Sequence, residues 1–225
     1  KNYNEIYKYI VREKQYTLCM TNSPGVFLSC KNMFGDNKYI KFALGFHPLN
    51  TDLKAKDLRD FMCLLPQTEY VGEIGLDFTK RKKKKKEQQI KWFEKIVEVC
   101  SEKNKVMSIH IRGAEEIALK ILERYCPRRC ILHWYTGNVD FQTDFIRLGC
   151  YFSVNASMIK NRNIVNIIPK DRLLIESDGP YTKVNGKRFL PSLLLEEYEL
   201  IAKSINEPEL ICVVYSNFKN LLLTE

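Results

Sequence analysis

The stretch YVGEIGLDFTKRKKKKKEQQ, residues 70–89, joins an apolar run to a strongly basic one. Its first half lacks polar alternation and is interrupted by a carboxylate, Glu73, between two glycines. Such a run is typical of a strand that is covered on both faces. The residues that follow, EQQIKWFEKIVEVCSEKN, have the spacing of an amphipathic helix. A buried strand that leads into a helix is the repeating unit of a parallel α/β fold.

The same unit recurs along the chain. Six further runs are predicted to be strands: YTLCMT, IKFALGF, VMSIHI, CILHWY, CYFSV and LLIESD. Further helical patterns are NYNEIYKYIVREK, NTDLKAKDLRDFMCLL, AEEIALKILERY, NVDFQTDFIRLG, MIKNRNIVNIIP, PSLLLEEYELIAKSI and EPELICVVYSNFKNLLL. This alternation predicts parallel pairing, which a doubly wound sheet and a closed barrel satisfy equally. A barrel needs eight strands, and the chain begins with a helix, so we expect a first strand to lie before this numbering.

Length and composition indicate an ordinary globular protein. The 225 residues predict one domain, 1–225, with a substantial core. No apolar run approaches the roughly 20 residues that cross a bilayer, and the charged first residues do not resemble a secretory signal. The eight cysteines are scattered singly, several of them in apolar runs, which favours buried, reduced thiols. We therefore expect a cytoplasmic protein that does not bind membranes.

The basic character of the chain is local. The net charge is +9, and residues 80–86, KRKKKKK, contribute seven positive charges, so the rest of the chain carries +2. In a barrel this run occupies a loop on the catalytic face, where Lys82 and Lys83 would attract a polyanionic strand through counterion release. The alternative is a solvated, flexible segment that leads into the following helix. The sequence leaves both interpretations open.

Polar residues able to bind metal or phosphate occur at the ends of five predicted strands. They include all three histidines of the chain and two carboxylates: His47, Glu73, His110, His133 and Asp178. A buried carboxylate or imidazole is costly unless it is paired or bound to metal. Because barrel enzymes assemble their sites at the carboxyl ends of strands, we expect these groups to converge. Two imidazoles and two carboxylates would form a mixed nitrogen and oxygen site for Mg²⁺, Mn²⁺ or Zn²⁺.

Each candidate also has a structural alternative. Glu73 would cap a neighbouring backbone, and a single buried histidine is usually a hydrogen-bonded core residue. His47 precedes a proline and would simply end a strand. Asp178 lies in Ser-Asp-Gly, which is common turn chemistry. The functional interpretation rests on all of these residues occurring together at strand ends.

Neighbouring residues have open roles. Arg112 lies two residues beyond His110 and would reach a phosphate or form a structural ion pair. Glu176 shares a strand face with Asp178 and would pair with Arg112 or line the site. Tyr135 would stack on a base of the substrate or pack at the barrel mouth.

The motifs GFHP, GEIGLDF, HIR, HWYTG, YFSVNAS and IPKDRLLIESDGPY occur in this order within residues 42–181. In order and spacing they resemble the TatD family of metal-dependent deoxyribonucleases. The resemblance covers most of the chain, and it implies a TIM-like (β/α) barrel of the amidohydrolase type with a two-metal phosphodiesterase site. It further implies Mg²⁺ or Mn²⁺ as cofactor, with Zn²⁺ as an alternative, and single-stranded DNA as substrate, trimmed from its 3′ end.

The resemblance also implies a role for each residue. Glu73 would hold both metal ions, and His110 and His133 would be ligands of one of them. Asp178 would bind metal and orient the attacking water, so that Asp178 and Glu73 carry the catalysis together with His47. His47 would face the scissile phosphate rather than bind metal directly.

The chain departs from the family pattern at its beginning. Family members start with a strand that carries an H-x-H-x-D motif, and no such motif occurs here. We expect that strand to precede residue 1; the alternative is a chain that has lost the motif and serves as a metal-free DNA- or protein-binding scaffold. A further alternative is an amidohydrolase-type enzyme that acts on another bond. The compact length resembles the TatD-like proteins of Qat anti-phage defence systems, which would imply partner proteins of such a system.

Overall fold

The computed structural model describes residues 3–79 and 83–224. All seven predicted strands are present: β1 Thr17–Met20, β2 Ile40–Ala43, β3 Tyr70–Asp77, β4 Val106–Arg112, β5 Cys130–His133, β6 Tyr151–Val154 and β7 Leu173–Ile175. Two short strands that were not predicted, β8 Lys183–Val184 and β9 Lys187–Arg188, pair as an antiparallel hairpin.

Helices follow most of the strands. They are α1 Tyr3–Arg12, α2 Pro24–Phe34, α3 Ala55–Leu64, α4 Lys83–Glu102, α5 Glu115–Tyr125, α6 Val139–Arg147, α7 Arg162–Val165, α8 Leu194–Ile205 and α9 Leu210–Leu223. Short 3-10 helices are Leu65–Gln67, Met158–Lys160, Lys170–Arg172 and Pro191–Leu193.

The prediction missed one helix and overestimated another. Helix α2 begins at a Ser23 cap followed by Pro24 and ends at Gly35, which is a recognisable set of start and stop signals. The run MIKNRNIVNIIP was predicted as one helix. Instead of one continuous helix, it forms a 3-10 turn, Met158–Lys160, followed by the single turn of α7.

The strand order decides between the two predicted architectures. Strands β3 to β7 pair in parallel in chain order, and β1 pairs in parallel with β2. A parallel bridge between Leu44 and Val71 connects β2 to β3. A doubly wound sheet reverses its strand order at a switch point, whereas a barrel keeps the order of the chain. The chain is therefore a TIM-like (β/α) barrel.

The core lies between the strands and the surrounding helices. Helices α2, α3, α4 and α6 each bury one phenylalanine against it: Phe27, Phe61, Phe93 and Phe145. Each such burial contributes about 1.5–3 kcal/mol relative to exposure. This rigid scaffold fixes the positions of the strand ends that carry the site.

No helix within the described ranges combines the length and apolar character that crossing a membrane requires. All eight cysteines are free thiols, and the prediction that they are buried is correct for Cys100, Cys130 and Cys150. It is wrong for Cys63, Cys126 and Cys212, which lie on exposed positions of helices or at a helix end.

Candidate active site

The three histidines of the chain meet at the carboxyl ends of the strands. His47 follows β2, His110 lies in β4 and His133 ends β5. The ring centroids of His47 and His110 are 5.2 Å apart, and those of His110 and His133 are 6.5 Å apart. The imidazoles therefore form one cluster, as parallel strands of a barrel dictate for residues at one rim.

Glu73 enters this cluster from a β-bulge. The pairing of β3 with β4 shifts register between Val71 and Ile74. At the bulge the main chain bonds instead to Thr21 beyond β1. The Thr21 N–H donates to the Gly72 carbonyl at 3.1 Å, and the Glu73 N–H donates to the Thr21 carbonyl at 2.8 Å. Bulges re-aim side chains beside active sites, and this one turns the Glu73 carboxylate toward the histidines.

The glycines on either side of Glu73 have a steric reason. A Cβ atom at Gly72 would lie 2.6 Å from the Met20 sulfur. A Cβ atom at Gly75 would lie 1.9 Å from the His110 carbonyl oxygen, and Gly75 has a φ of 138° that L side chains rarely adopt. Only glycine allows the neighbouring strands to approach this closely. The glycines therefore serve the packing that brings Glu73 to the cluster.

Glu73 is the centre of the cluster. Its Oε1 atom lies 3.0 Å from His110 Nδ1, 3.4 Å from His47 Nε2 and 3.6 Å from His133 Nε2. Burial by itself raises the pKa of this carboxyl. Hydrogen bonds from His110 and His47 and the nearby imidazole charges outweigh burial and hold the pKa of Glu73 well below its usual range. The central ligand candidate is thus ionised at neutral pH.

His110 is held between two carboxylates. Its Nε2 atom lies 3.0 Å from Asp77 Oδ2, opposite the contact with Glu73. Asp77 is 1% exposed, and its Oδ1 atom accepts hydrogen bonds from the Thr79 N–H at 3.0 Å and the Thr79 hydroxyl at 2.6 Å. Burial lowers the pKa of His110, but the hydrogen bonds and charges of the two carboxylates reverse this and raise it. Asp77 therefore fixes the ring orientation of His110.

His133 has the same arrangement with a different carboxylate. Its Nδ1 atom lies 2.5 Å from Glu176 Oε2. The Ser153 hydroxyl donates to the same oxygen, and Asn155 Nδ2 donates to Glu176 Oε1 at 2.9 Å. Burial lowers the pKa of His133, but the charge and hydrogen bond of Glu176 raise it to about 9. Of the two roles considered for Glu176, the geometry supports lining the site.

Asp178 follows β7 and lies close enough to His133, Glu176 and Glu73 for their charges to shift its pKa. It has a φ of 41°, a left-handed conformation that aspartate tolerates better than most residues. Burial raises its pKa; the charge of His133 lowers it, and those of Glu176 and Glu73 raise it, so that the pKa lies above its ordinary value. In the described part of the chain no hydrogen bond ties down its side chain, so the carboxyl is available to a ligand or a proton.

His47 sits on a loop that is braced against β3. The Leu49 N–H donates to His47 Nδ1 at 3.1 Å, so Nε2 carries the proton of the neutral ring and faces the central carboxylate. Gln89 of α4 connects this loop to the strand. Its Nε2 donates to the Pro48 carbonyl at 3.1 Å, and its Oε1 accepts from the Asp77 N–H at 3.0 Å.

The donor set fits a divalent metal ion. His47, Glu73 and His110 each offer one ligand atom, and these atoms lie within 4.8 Å of one another. His110 and His133 each direct one nitrogen at Glu73 and the other at a second carboxylate. Metal-binding histidines show this pattern because the outer carboxylate fixes the tautomer and raises the basicity of the ligand.

The remaining predicted residues lie outside the histidine cluster. Arg112 is exposed at the end of β4, and its side chain forms no ion pair within the described residues. The prediction that Tyr135 stacks on substrate is wrong, because the residue is 1% exposed and donates its hydroxyl to the Asn138 carbonyl at 2.7 Å. Lys83 begins α4, and Lys82 lies outside the described residues.

The described part of the basic run is helical. Its last residues form the first turn of α4, where Lys86 lies over the Phe78 ring at 5.0 Å, and Lys85 is exposed. Cations at a helix amino terminus are unfavourable because the helix dipole is positive there. A bound anion would relieve this repulsion.

The sequence interpretation missed Asp77 and the pairing of Glu176 with His133. A signal for Asp77 existed, since alternation along β3 places it on the same face as Gly75 and Glu73. The pairing of Glu176 had no local signal, because it joins β5 to the end of β7 across β6.

The chain matches a known protein family over nearly its whole length. The pattern of the TatD related DNase family matches residues 3–223. The metal-dependent hydrolase YcfH of Escherichia coli K12, whose activity is uncharacterised, is 28% identical over 230 residues, covering 95% of this chain and 85% of that protein. Deoxyribonuclease Tat-D of Schizosaccharomyces pombe is 31% identical over 133 residues, covering 55% of this chain and 43% of that protein.

Solved structures show the same fold. The TatD homologue YJJV of Escherichia coli K12 superposes with a TM-score of 0.85 at 18% identity, covering 98% of this chain and 93% of YJJV. An uncharacterised amidohydrolase of Saccharomyces cerevisiae gives a TM-score of 0.82 at 16% identity, covering 98% of this chain and 92% of that one.

Proposed function

The chain belongs to the TatD related DNase family of metal-dependent hydrolases, and on that premise we propose that it hydrolyses single-stranded DNA from the 3′ end. The observation that carries this proposal is the ionised Glu73 carboxylate with three imidazoles around one of its oxygens. Two of these imidazoles are backed by further carboxylates. Such a cluster suits Mg²⁺ or Mn²⁺, with Zn²⁺ as an alternative because of its nitrogen donors.

We assign the metal ligands to Glu73, His110, His133 and Asp178. His47, whose ligand atom also lies within 4.8 Å of those of Glu73 and His110, is assigned to the phosphate instead. Bound divalent ions supply two things in such a site: they lower the pKa of water and neutralise charge on the phosphate during displacement. The chain supplies the orientation. Asp77 holds the proton on Nε2 of His110, which leaves Nδ1 as the ligand atom. Glu176 holds the proton on Nδ1 of His133, which leaves Nε2 as the ligand atom of that ring.

Asp178 is the base in this proposal. Its raised pKa makes it a better proton acceptor than an ordinary aspartate, and its side chain has no competing hydrogen bond in the described residues. It orients the attacking water and takes its proton. Because Nδ1 of His47 is occupied by the Leu49 N–H, its Nε2–H, which lies 3.4 Å from Glu73 Oε1 in the free site, would be the group that donates to the phosphate.

Substrate attraction comes from the catalytic face. Arg112 is exposed at the end of β4, the strand that carries His110, and Lys85 is exposed in the first turn of α4, the helix that follows β3. Their positive charge raises the local concentration of a DNA strand without reading its sequence. A role in anti-phage defence, with partner proteins, stays a prediction from the compact length.

The test is the Mg²⁺- or Mn²⁺-dependent shortening of a 5′-labelled single-stranded oligonucleotide by the full chain. We expect a ladder of products that disappears with EDTA and with Asp178→Asn. A phosphorothioate block at the 3′ end should stop the reaction, and a block at the 5′ end should not. The control is Asp171→Asn, since Asp171 is exposed at the opposite end of β7 and lies far from the histidines along the strand.

Four results would contradict the proposal. Full activity of Asp178→Asn would remove this residue from the site. Degradation that only a 5′ block stops would reverse the polarity. Binding of DNA without any cleavage under Mg²⁺ or Mn²⁺ would favour the scaffold alternative, and hydrolysis of small amides or phosphoesters alone would favour another amidohydrolase-type reaction.

A further inference from the structure

The loop after Asp178 contains a hairpin that the catalytic cluster does not use. Strands β8 and β9 pair through Lys183 with Arg188 and through Val184 with Lys187. The two residues between them, Asn185 and Gly186, have φ values of 48° and 79°. This is the type I′ turn that Asn-Gly favours, and its twist suits a tight two-stranded hairpin.

The hairpin is anchored and not a loose loop. Val184 is fully buried and packs with Phe189 and Ala156 in a small separate core. At the turn, Asn185 Nδ2 donates to Glu196 Oε2 of α8 at 3.1 Å. The cations of the hairpin are therefore displayed from a fixed support.

The base of the hairpin is joined to the catalytic rim. The Phe189 N–H donates to the Thr182 carbonyl at 3.1 Å, and the Thr182 hydroxyl donates to the Ser177 carbonyl. The Tyr181 N–H donates to the Asp178 carbonyl at 2.9 Å. These bonds place the hairpin immediately beyond the catalytic aspartate.

The three cations of the hairpin form no ion pair among the described residues, and the nearby Glu196 carboxylate is bonded to Asn185 instead. Lys183, Lys187 and Arg188 are all exposed. The ion pairs found among the described residues use other lysines and arginines. Lys183 and Arg188 stand directly opposite each other, and like charges in that position destabilise a strand pair. A bound polyanion would turn this repulsion into attraction.

We propose that this hairpin binds the phosphate backbone of single-stranded DNA next to the catalytic cluster, with Tyr181 stacking on a base. Tyr181 is 81% exposed beside the three cations, and an aromatic ring next to a positive track is how single strands are held without sequence preference. The inference rests on the proposed function for its substrate. The hairpin is separate in sequence from the basic run of residues 80–86.

The test measures binding of a phosphorothioate dT16 oligonucleotide by fluorescence anisotropy in Mg²⁺, with NaCl varied from 50 to 200 mM. We expect the triple variant Lys183→Gln, Lys187→Gln, Arg188→Gln to flatten the slope of log K against log salt by about 2, since each phosphate contact on a single strand contributes about 0.7. The affinity advantage of the wild type should then shrink by about 20-fold across this range. Tyr181→Ala should weaken binding without changing the slope.

Two controls separate charge from structure. The variant Lys14→Gln, Lys38→Gln, Lys103→Gln removes three exposed lysines that precede β1, β2 and β4 at the opposite rim, and it should keep the wild-type slope. The variant Lys183→Arg, Lys187→Arg, Arg188→Lys keeps the hairpin charges and should bind like the wild type. Loss of binding in the second control would show that the hairpin acts through packing and would overturn the proposal.

The proposal and the proposed function fail in different ways. If the wild type degrades DNA but the neutral hairpin variant binds dT16 with the wild-type slope, the hairpin inference is wrong and the nuclease stands. If binding depends on the hairpin charges but no DNA is cleaved, the nuclease is wrong and the binding surface stands. A wild type that does not bind dT16 overturns the hairpin inference.

Discussion

Replacing Asp77 by asparagine should reverse the tautomer of His110. Asp77 Oδ1 accepts two hydrogen bonds from Thr79, and Oδ2 faces His110 Nε2 at 3.0 Å. In the Asp77→Asn variant the amide oxygen must stay with Thr79, because only an oxygen can accept those bonds. The NH₂ group then faces His110 Nε2 as a donor, so the neutral ring carries its proton on Nδ1. That proton points at Glu73, where a metal ligand atom is needed.

The magnitude follows from the lost hydrogen bond. A hydrogen bond to a charged group contributes about 1.5–3 kcal/mol, and this pair is buried because Asp77 is 1% exposed. Each 1.4 kcal/mol corresponds to a tenfold change in affinity, and changes to carboxylates behind metal-binding histidines typically cost about 10- to 100-fold. We therefore expect Asp77→Asn to weaken Mn²⁺ binding by about 10- to 100-fold.

The assay is a calorimetric Mn²⁺ titration at pH 8 of the wild type, Asp77→Asn and Asp77→Ala. Asp77→Ala removes the acceptor without supplying a donor, so it should retain more affinity than Asp77→Asn. The control is Asp144→Asn, an aspartate paired with Arg147 on the exposed side of α6, which should leave the affinity unchanged. A dissociation constant for Asp77→Asn within twofold of the wild type, or a larger loss in Asp77→Ala, would refute the tautomer argument.

Three further predictions concern the carboxylate behind His133, a buried glutamate of α8 and a glycine of β3. Glu176→Gln should weaken Mn²⁺ binding about 10-fold or more in the same titration, because it removes the carboxylate behind His133. Burial raises the pKa of Glu197 from 4.5 to about 7, so the folded state binds this proton more tightly than the unfolded state does. The free energy of unfolding should therefore fall by about 3 kcal/mol as the pH rises through that interval. Urea unfolding should accordingly show Glu197→Gln equal to the wild type at pH 4 and more stable at pH 8; equal stability at both would contradict it. Gly75→Ala should lower the free energy of unfolding by about 3 kcal/mol or more, because its Cβ would lie 1.9 Å from a carbonyl oxygen of β4.

Much of the fold could be predicted from local patterns. All seven parallel strands could be predicted as apolar runs, because a strand that is buried on both faces is apolar at nearly every residue. Helix α2 and the β8–β9 hairpin were missed although their signals are local: Ser23 with Pro24 in one case and Asn185 with Gly186 in the other. These two errors were therefore avoidable.

The candidate site divides in the same way. Polar residues at strand ends identified the three histidines, Glu73 and Asp178, since every parallel strand of a barrel ends at the same rim. Tyr135 lies two residues after His133 but is buried in the core, and the sequence around it did not indicate that burial.

By itself, the sequence determined which residues stand at the ends of buried strands, because strand length and apolar character are properties of adjacent residues. Only the tertiary structure decided which carboxylate faces which imidazole. The contact of Glu176 with His133 joins the end of β7 to the end of β5 across β6. The position of Glu73 depends on a bulge held by Thr21 and on the close approach of strands that Gly75 permits. These relations are set by strand register and by packing between distant segments, which local sequence patterns do not contain.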